Sequence, residues 1–344
     1  MFIELFFTML FSYIFVKLVV TYAHKLGLYD IPNERSHHCS VTPSGGGIGF
    51  VVALFLALFS FEPSLVYQYW YIFTSIILVF AVGIYDDKNE VSARFKFIAI
   101  FIAVFLLWLN GFSVYSFGSW FGYDLVLPSF LALIFSMFAL SGFTNALNLI
   151  DGIDGLSSSI SIVILSFFTL IGLEYHSEII VVLSSFTIAT LFGFLVLNWN
   201  PAKIFMGDSG SLTLGFIIAI VSVLSLNYIH PIAVIYLAAL PILDTLIVMI
   251  RRVRRGKSPF SPDKTHIHHI MVKFFDMNVK KTVVFLVILQ ILFSSLGYMI
   301  FIFINQNPTG YIPLLALVGF VFLFLFFYMI FTGIKRRQHK ELKI

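Results

Sequence analysis

Several short segments of this chain gather carboxylates, amides, histidines and glycines of the kinds that handle phosphate and hard cations. The first is Asp86-Asp87. Two adjacent carboxylates at the end of an apolar stretch repel each other and, at a helix C-terminus, are opposed by the macrodipole as well. A divalent cation or a cationic clamp would relieve both penalties; the plainer reading is a solvated loop start. The second segment holds Asn145, Asn148, Asp151 and Asp154 in the run Asn-Ala-Leu-Asn-Leu-Ile-Asp-Gly-Ile-Asp-Gly. A spacing of three makes helical neighbours, but each step drifts by about 60°, so all four face one ligand only where the helix tightens or breaks. Gly152 and Gly155 supply that break. Oxygen donors beside backbone that can approach closely suit magnesium and phosphate, whereas an Asx-rich turn capping the next helix accounts for only one or two of the four.

A third segment runs Asn198, Asn200, Pro201, Lys203, Phe205, Gly207, Asp208, Gly210 and Ser211. Asp208 either caps the helix that follows or, with a glycine on each side, makes a place where backbone N–H groups and a metal-bearing carboxylate meet a phosphate. Phe205 is either a base-stacking ring or one more interfacial aromatic. The fourth segment, 251–281, opens with Arg251, Arg252, Arg254 and Arg255, which read as an anchor facing anionic lipid. It continues to His266-Ile267-His268-His269. Three imidazoles in four residues can bind zinc, but no cysteine pair accompanies them. With Asp263 and Lys264 nearby, donation of hydrogen bonds to phosphate oxygens is preferred. The remaining segment passes from Asp30 to His38 and then through Thr42-Pro43-Ser44-Gly45-Gly46-Gly47, whose glycines suit a tight helix-packing seam as well as an anion site.

The elements that position these residues follow from composition. Of 344 residues, 60% are hydrophobic and 11% charged, with a mean hydropathy of +1.00. Soluble domains carry about 25% charge, so lipid must solvate most of this chain. Apolar windows predict eleven membrane-spanning helices, at 2–23, 46–61, 66–84, 97–110, 127–144, 156–173, 179–197, 212–227, 231–250, 282–304 and 311–332. Eleven spans of about 20 residues leave about 124 residues for loops and tails. That remainder holds no soluble domain, so the expected fold is one all-α integral membrane domain over 1–344. The single cysteine, Cys39, is expected to be a bystander, and the N-terminus, lacking a basic leader and a small-residue cleavage site, is expected to be retained. Residues 111–126 mix aromatic residues with Gly118 and Gly122, as an interfacial hairpin would.

Lys and Arg in short loops mark the cytoplasmic side. With the N-terminus periplasmic and the C-terminus cytoplasmic, 20 of the 21 fall in inner segments, and Lys17 lies in the first span. The inner loops, about 24–45, 85–96, 145–155, 198–211 and 251–281, are then the ones that carry the reactive segments. The net charge of +4 is a topology signal rather than a nucleic-acid footprint. Transporters bury ionisable groups at mid-membrane; here only Asp244 does so deliberately, two turns before Arg251. Chemistry at the inner membrane surface is the better account.

Taken in order from residue 30 to 269, these segments resemble the polyprenyl-phosphate N-acetylhexosamine-1-phosphate transferases. Within that family the His-x-His-His pattern is similar to the WecA branch rather than the MraY branch, which has three successive histidines. The resemblance implies transfer of a HexNAc-1-phosphate from a UDP-amino sugar, UDP-GlcNAc by default, to undecaprenyl phosphate, releasing UMP with Mg2+ or, in its place, Mn2+. It implies a multi-pass protein of the bacterial inner membrane whose partners are undecaprenyl phosphate, a UDP-N-acetylhexosamine and membrane lipid, with no nucleic acid and with homodimer formation open. By position, Asp208 matches the metal-binding acid and Asn148 a second ligand, while Asp86 and Asp87 match the acidic pair beside the metal. Lys96 sits where relatives present a phosphate-contacting lysine, and Phe205, Gly152 and Asp154 match uridine-pocket positions. Asn145 and Lys203 join the expected substrate-binding set, and Asp151, His266, His268 and His269 the catalytic one. Ser44 stands where several relatives place an arginine before the glycines, so no phosphate contact carries over there.

The chemistry implied is the approach of two anions. The second ionisation of a phosphate monoester lies near pH 6, so about 90% of the lipid phosphate is already dianionic at neutral pH. Proton removal contributes little, and Asp86 and Asp87 are expected to position metal and nucleophile rather than act as bases. A covalent aspartyl-phosphate is the mechanistic rival. The rival class is a lipid-phosphate carrier or flippase without transferase chemistry.

Overall fold

The computed structural model describes residues 1–30, 41–89, 91–258, 265–307 and 310–341. Cys39, the segment from Ile31 to His38, Asp263 and Lys264 lie outside the described residues. The chain is an all-α integral membrane protein: among the described residues eight helices are long and apolar enough to cross a membrane, or nine if one bent pair counts as a single span. Its described residues form two compact units, Met1–Ser116 with Val126–Tyr228, and Phe117–Leu125 with Ile229–Ile344.

The first unit runs α1 (Phe2–Leu26), β1 (Tyr29–Asp30), β2 (Thr42–Pro43), α2 (Gly46–Phe61), α3 (Pro63–Gln68), α4 (Trp70–Asn89) and α5 (Ala93–Leu109). The hairpin of β3 (Ser116–Trp120) and β4 (Tyr123–Val126) follows in the chain, where the aromatic segment predicted one, but its residues Phe117–Leu125 belong to the second unit; the first unit resumes with α6 (Ser129–Ile150), α7 (Leu156–Glu174), α8 (Glu178–Asn198) and α9 (Gly207–Ser225). Nine of the eleven predicted spans fall on one helix each, whereas 66–84 is divided at Tyr69 between α3 and α4, and α2 has 16 residues and α5 has 17. Helix α9 is buried along nearly its whole length because α2, α4, α6, α7 and α8 all pack against it. An apolar helix ringed in this way is set by its neighbours and not by lipid. The site depends on this, because Asp208 lies in the first turn of that central helix.

The approach of α2 and α4 to α9 requires glycine. A Cβ on Gly47 would sit 2.0 Å from the Gly210 nitrogen, and one on Gly83 would sit 2.5 Å from the Ser209 Cα. Gly46 and Gly47 donate their N–H groups to the Phe205 and Met206 carbonyls at 2.9 and 2.8 Å. The glycine run is thus a packing seam.

The second unit contains α10 (Pro231–Leu237), α11 (Ala239–Val253), α12 (Ile267–Phe274), α13 (Val279–Gln306) and α14 (Ile312–Glu341). The predicted straight span 231–250 is instead bent by 85° between α10 and α11. A break at membrane depth leaves backbone groups that lipid cannot satisfy. Gln290 of α13 meets them: its Oε1 accepts the Leu240 N–H at 3.2 Å, and its Nε2 donates to the Leu237 carbonyl at 2.7 Å. Ser294, one turn on, donates to that carbonyl at 2.8 Å. In the hairpin, Trp120 packs edge-on against His230 at 5.2 Å. The arginine run also departs from expectation, for Arg251 and Arg252 are buried and do not face lipid.

Candidate active site

The site of the first unit is assembled from helix ends. The C-termini of α4, α6 and α8 and the N-termini of α2, α5, α7 and α9 meet at one end of the unit, because alternating antiparallel helices bring those termini to the same side. Asp86 and Asp87 occupy the last turn of α4 rather than a loop after it. Helical geometry points adjacent residues about 100° apart, and the two carboxylates do different things.

Asp87 turns to α9. Its Oδ1 accepts the Asp208 N–H at 2.6 Å and its Oδ2 accepts the Ser209 N–H at 3.2 Å. The macrodipole of α4 disfavours an acid at its C-terminus, and the two free N–H groups at the start of α9 offset that cost. Asp87 is in effect an N-cap supplied from another helix. Asp86 faces a cation instead: its Oδ1 accepts the Val91 N–H at 2.7 Å, and its Oδ2 lies 2.5 Å from the Lys96 Nζ.

Lys96, in the first turns of α5, also pairs with Asp208 Oδ2. The other Asp208 oxygen accepts from Asn148 Nδ2 at 3.0 Å, and the same amide nitrogen donates to Ser211 Oγ at 2.9 Å. Ser211 Oγ donates to the Gly207 carbonyl at 3.0 Å. Asp86, Lys96, Asn148 and Asp208 therefore form one connected network drawn from four helices.

Helix α6 ends at Ile150, and the turn through Asp151 to Gly155 leads into α7, with Gly155 at φ 74°. The break supplied by Gly152 and Gly155 is present. Asp154 Oδ2 accepts from Asn200 Nδ2 at 2.8 Å and from the Ala202 N–H at 3.0 Å. Asn198 Oδ1 accepts the Gly155 N–H at 3.0 Å while its Nδ2 donates to the Ile204 carbonyl at 2.9 Å. These bonds tie the turn before α7 to the strap before α9, so Asp154 and Asn198 hold backbone in place. Burial, joined by the charges of Asp208, Asp87 and Asp154, pushes the Asp151 carboxyl up to about 8. An acid protonated at neutral pH can donate a hydrogen bond to an anion instead of repelling it.

Of the other sequence-predicted residues, Asn145 lies one turn before Asn148 on α6 and is half-buried. Gly152 bonds back to the Ile150 carbonyl through its N–H at 2.8 Å. Phe205 is held by backbone bonds to Pro43 and Gly46, leaving its ring half-exposed. The side chain of Lys203 is exposed. His266, His268 and His269 belong to the second unit, where His266 precedes α12 and pairs with Asp244.

The donor set around Lys96 suits a hard divalent cation. Two carboxylates flank one ammonium group, whose charge marks where positive charge is needed; Asn148 meets this network through its Nδ2, so its amide oxygen would join a ligand set only with the amide turned over. Among the described residues no group of three or more His, Cys, Asp or Glu side chains is placed to hold a metal ion, so water and phosphate oxygens would have to complete the ligand set. Asp87, with both oxygens on backbone N–H groups, serves the site by aiming Asp208.

The family model for glycosyl transferase family 4 matches residues 69–226, from the start of α4 to the end of α9 and so through the whole acidic network. A probable undecaprenyl-phosphate N-acetylglucosaminyl 1-phosphate transferase of Bacillus subtilis is 32% identical over 265 residues, 76% of this chain and 74% of that protein. The chain belongs to this family. Undecaprenyl-phosphate alpha-N-acetylglucosaminyl 1-phosphate transferases from Yersinia pestis and Escherichia coli K12 are 33% and 32% identical. They are matched over 78% and 77% of this chain and over 76% and 74% of their own lengths.

What reading the sequence did not reveal is the partnership between segments. Asp87 lies more than a hundred positions from the N–H groups it caps, and Gly83 is an unmarked glycine inside an apolar helix. No local spacing announces either contact.

Proposed function

We propose that this protein transfers an N-acetylhexosamine-1-phosphate, GlcNAc-1-phosphate by default, from its UDP derivative to undecaprenyl phosphate. An oxygen of the lipid phosphate forms a bond to the β-phosphorus, the bridge to the α-phosphate breaks, and its electron pair leaves with UMP. The observation that carries the reading is the Asp86–Lys96–Asp208–Asn148 network at the start of α9, within a chain that is 32–33% identical, over 76–78% of its length, to transferases of this named activity.

The leading barrier is repulsion between two anionic reactants, so fixed positive charge is the main requirement. Lys96 supplies one such charge and keeps the Asp86 and Asp208 carboxylates from repelling each other. Asp208 and Asn148, with Asp86 beside them, would hold Mg2+, which supplies further charge neutralisation at the phosphates when bound. Asp151, whose carboxyl is pushed up by burial and by the acids around it, joins the catalytic set, and His266, His268 and His269 donate to phosphate oxygens. Asp87 and the glycine seam hold α9 in register. The reaction is assigned to the cytoplasmic face of a bacterial inner membrane, on the distribution of Lys and Arg among the loops.

The test is UMP release by purified protein given undecaprenyl phosphate, magnesium and a panel of UDP-sugars. UMP formed only with lipid acceptor and a UDP-N-acetylhexosamine is the expected result. A UMP burst without acceptor would favour an aspartyl-phosphate intermediate, and lipid movement with no UMP would favour a carrier.

A further inference from the structure

Within the second unit, α11 buries a carboxylate whose two oxygens both serve one short segment. Asp244 is 1% exposed; its Oδ2 lies 2.8 Å from His266 Nδ1, and its Oδ1 accepts the Ile267 N–H at 2.7 Å. With Asp244 ionised both of its oxygens accept, which assigns the ring proton to Nδ1 and leaves Nε2 for a ligand. Ile267 is the first residue of α12, so the same carboxylate fixes the ring and caps the helix that carries His268 and His269. The segment is braced from its other side by Arg251, two turns along α11. The guanidinium donates to the Thr265 carbonyl at 3.0 Å and to Thr332 Oγ1 of α14 at 3.2 Å. The His266 ring lies nearly parallel to that of His268, with centroids 5.8 Å apart and planes 12° apart.

A neutral cap such as asparagine or serine would satisfy the Ile267 N–H at lower desolvation cost. What a carboxylate adds is a second acceptor, and here that acceptor is spent on an imidazole. We propose that Asp244 is a positioning residue of the transfer reaction, holding His266 with its proton on Nδ1 so that Nε2 alone is offered to the anionic reactants. This rests on the reading above that the histidine segment meets phosphate.

The test compares wild type, Asp244→Asn, Asp244→Glu, His266→Gln and the Asp244→Asn/His266→Gln double variant, by kcat, KM and melting in detergent. Asparagine keeps an acceptor for the Ile267 N–H but turns an N–H donor toward the ring, forcing the proton to Nε2. The expected result is a kcat reduced ~10–100-fold in Asp244→Asn, with KM for the UDP-sugar near that of wild type. Asp244→Glu, which retains two acceptors, is expected to exceed Asp244→Asn, and the double variant to be no slower than His266→Gln alone. In 15N spectra of histidine-labelled protein, the His266 proton should move from Nδ1 to Nε2 in Asp244→Asn. Full kcat in Asp244→Asn on an active wild type overturns the inference. So do multiplying losses in the double variant, or a loss of rate that follows melting with the His266 spectrum unchanged. A wild type that releases no UMP overturns the underlying reaction instead, and that is read before any variant is compared.

Discussion

Around Asp208, side chains from the ends of α4, α5 and α6 meet the start of α9, whereas the histidine segment takes its order from Asp244 and Arg251 of a single helix, α11. In the first region Asp208 meets Lys96 and Asn148 from 112 and 60 positions away and Asp87 from 121, and the network exists only if the helices pack in register. In the second, a buried carboxylate 22 residues from His266 fixes both a ring and a helix cap. The first arrangement concentrates charge of both signs at a helix terminus and suits handling anions together with a cation. The second fixes the orientation of hydrogen-bond donors. The difference teaches that loss of one group in the acidic region should damage rate while leaving the fold, unless that group is also a cap or a seam.

Lys96→Met should have the largest effect after removal of Asp208 itself, lowering kcat on the order of 10²–10³-fold, because it removes fixed positive charge and leaves Asp86 and Asp208 facing each other. Steady-state UMP release checks this, and a rate within a few-fold of wild type would break the assignment of Lys96 to the reacting charges. The adjacent acids give a sharper contrast. Asp86→Asn should lower the rate with little change in melting. Asp87→Asn gives up one of two backbone N–H acceptors and should lose ~1–2 kcal/mol of stability as well, seen as an earlier thermal transition in detergent. Equal melting of the two variants would contradict their division of labour. Gly47→Ala should act through packing alone: its Cβ meets α9 backbone, so a loss of ~1–3 kcal/mol is expected, with activity falling only in proportion to folded protein.

Much of the architecture is legible from composition. Each apolar window became helical, nine of the eleven as a single helix, because twenty apolar residues in lipid have few other ways to satisfy their backbone. The run from Asn145 to Gly155 also reads correctly as a helix that breaks, since Gly152 and Gly155 are local signals. The 85° bend of the ninth span has one local signal, Pro241, which lacks the N–H that would bond the Leu237 carbonyl four residues back. The size of the bend is not legible, because the groups that make it tolerable, Gln290 and Ser294, lie on α13. The arginine run misleads for a related reason. Four basic residues at a membrane end imply lipid contact, but the acceptors that draw Arg251 inward, at Thr265 and Thr332, come from segments whose packing no periodicity reveals. Asp87 and Gly83 fail in the same way, because their meaning is their distance from α9.

The central claim is that the start of α9 is where the reactants' charge is met. Asp208→Asn tests it most directly, by UMP release from a UDP-N-acetylhexosamine in the presence of undecaprenyl phosphate and magnesium, alongside thermal melting in detergent. The account predicts transfer reduced at least ~10³-fold in a protein that still melts cooperatively near the wild-type temperature. Wild-type rates from that variant would contradict it.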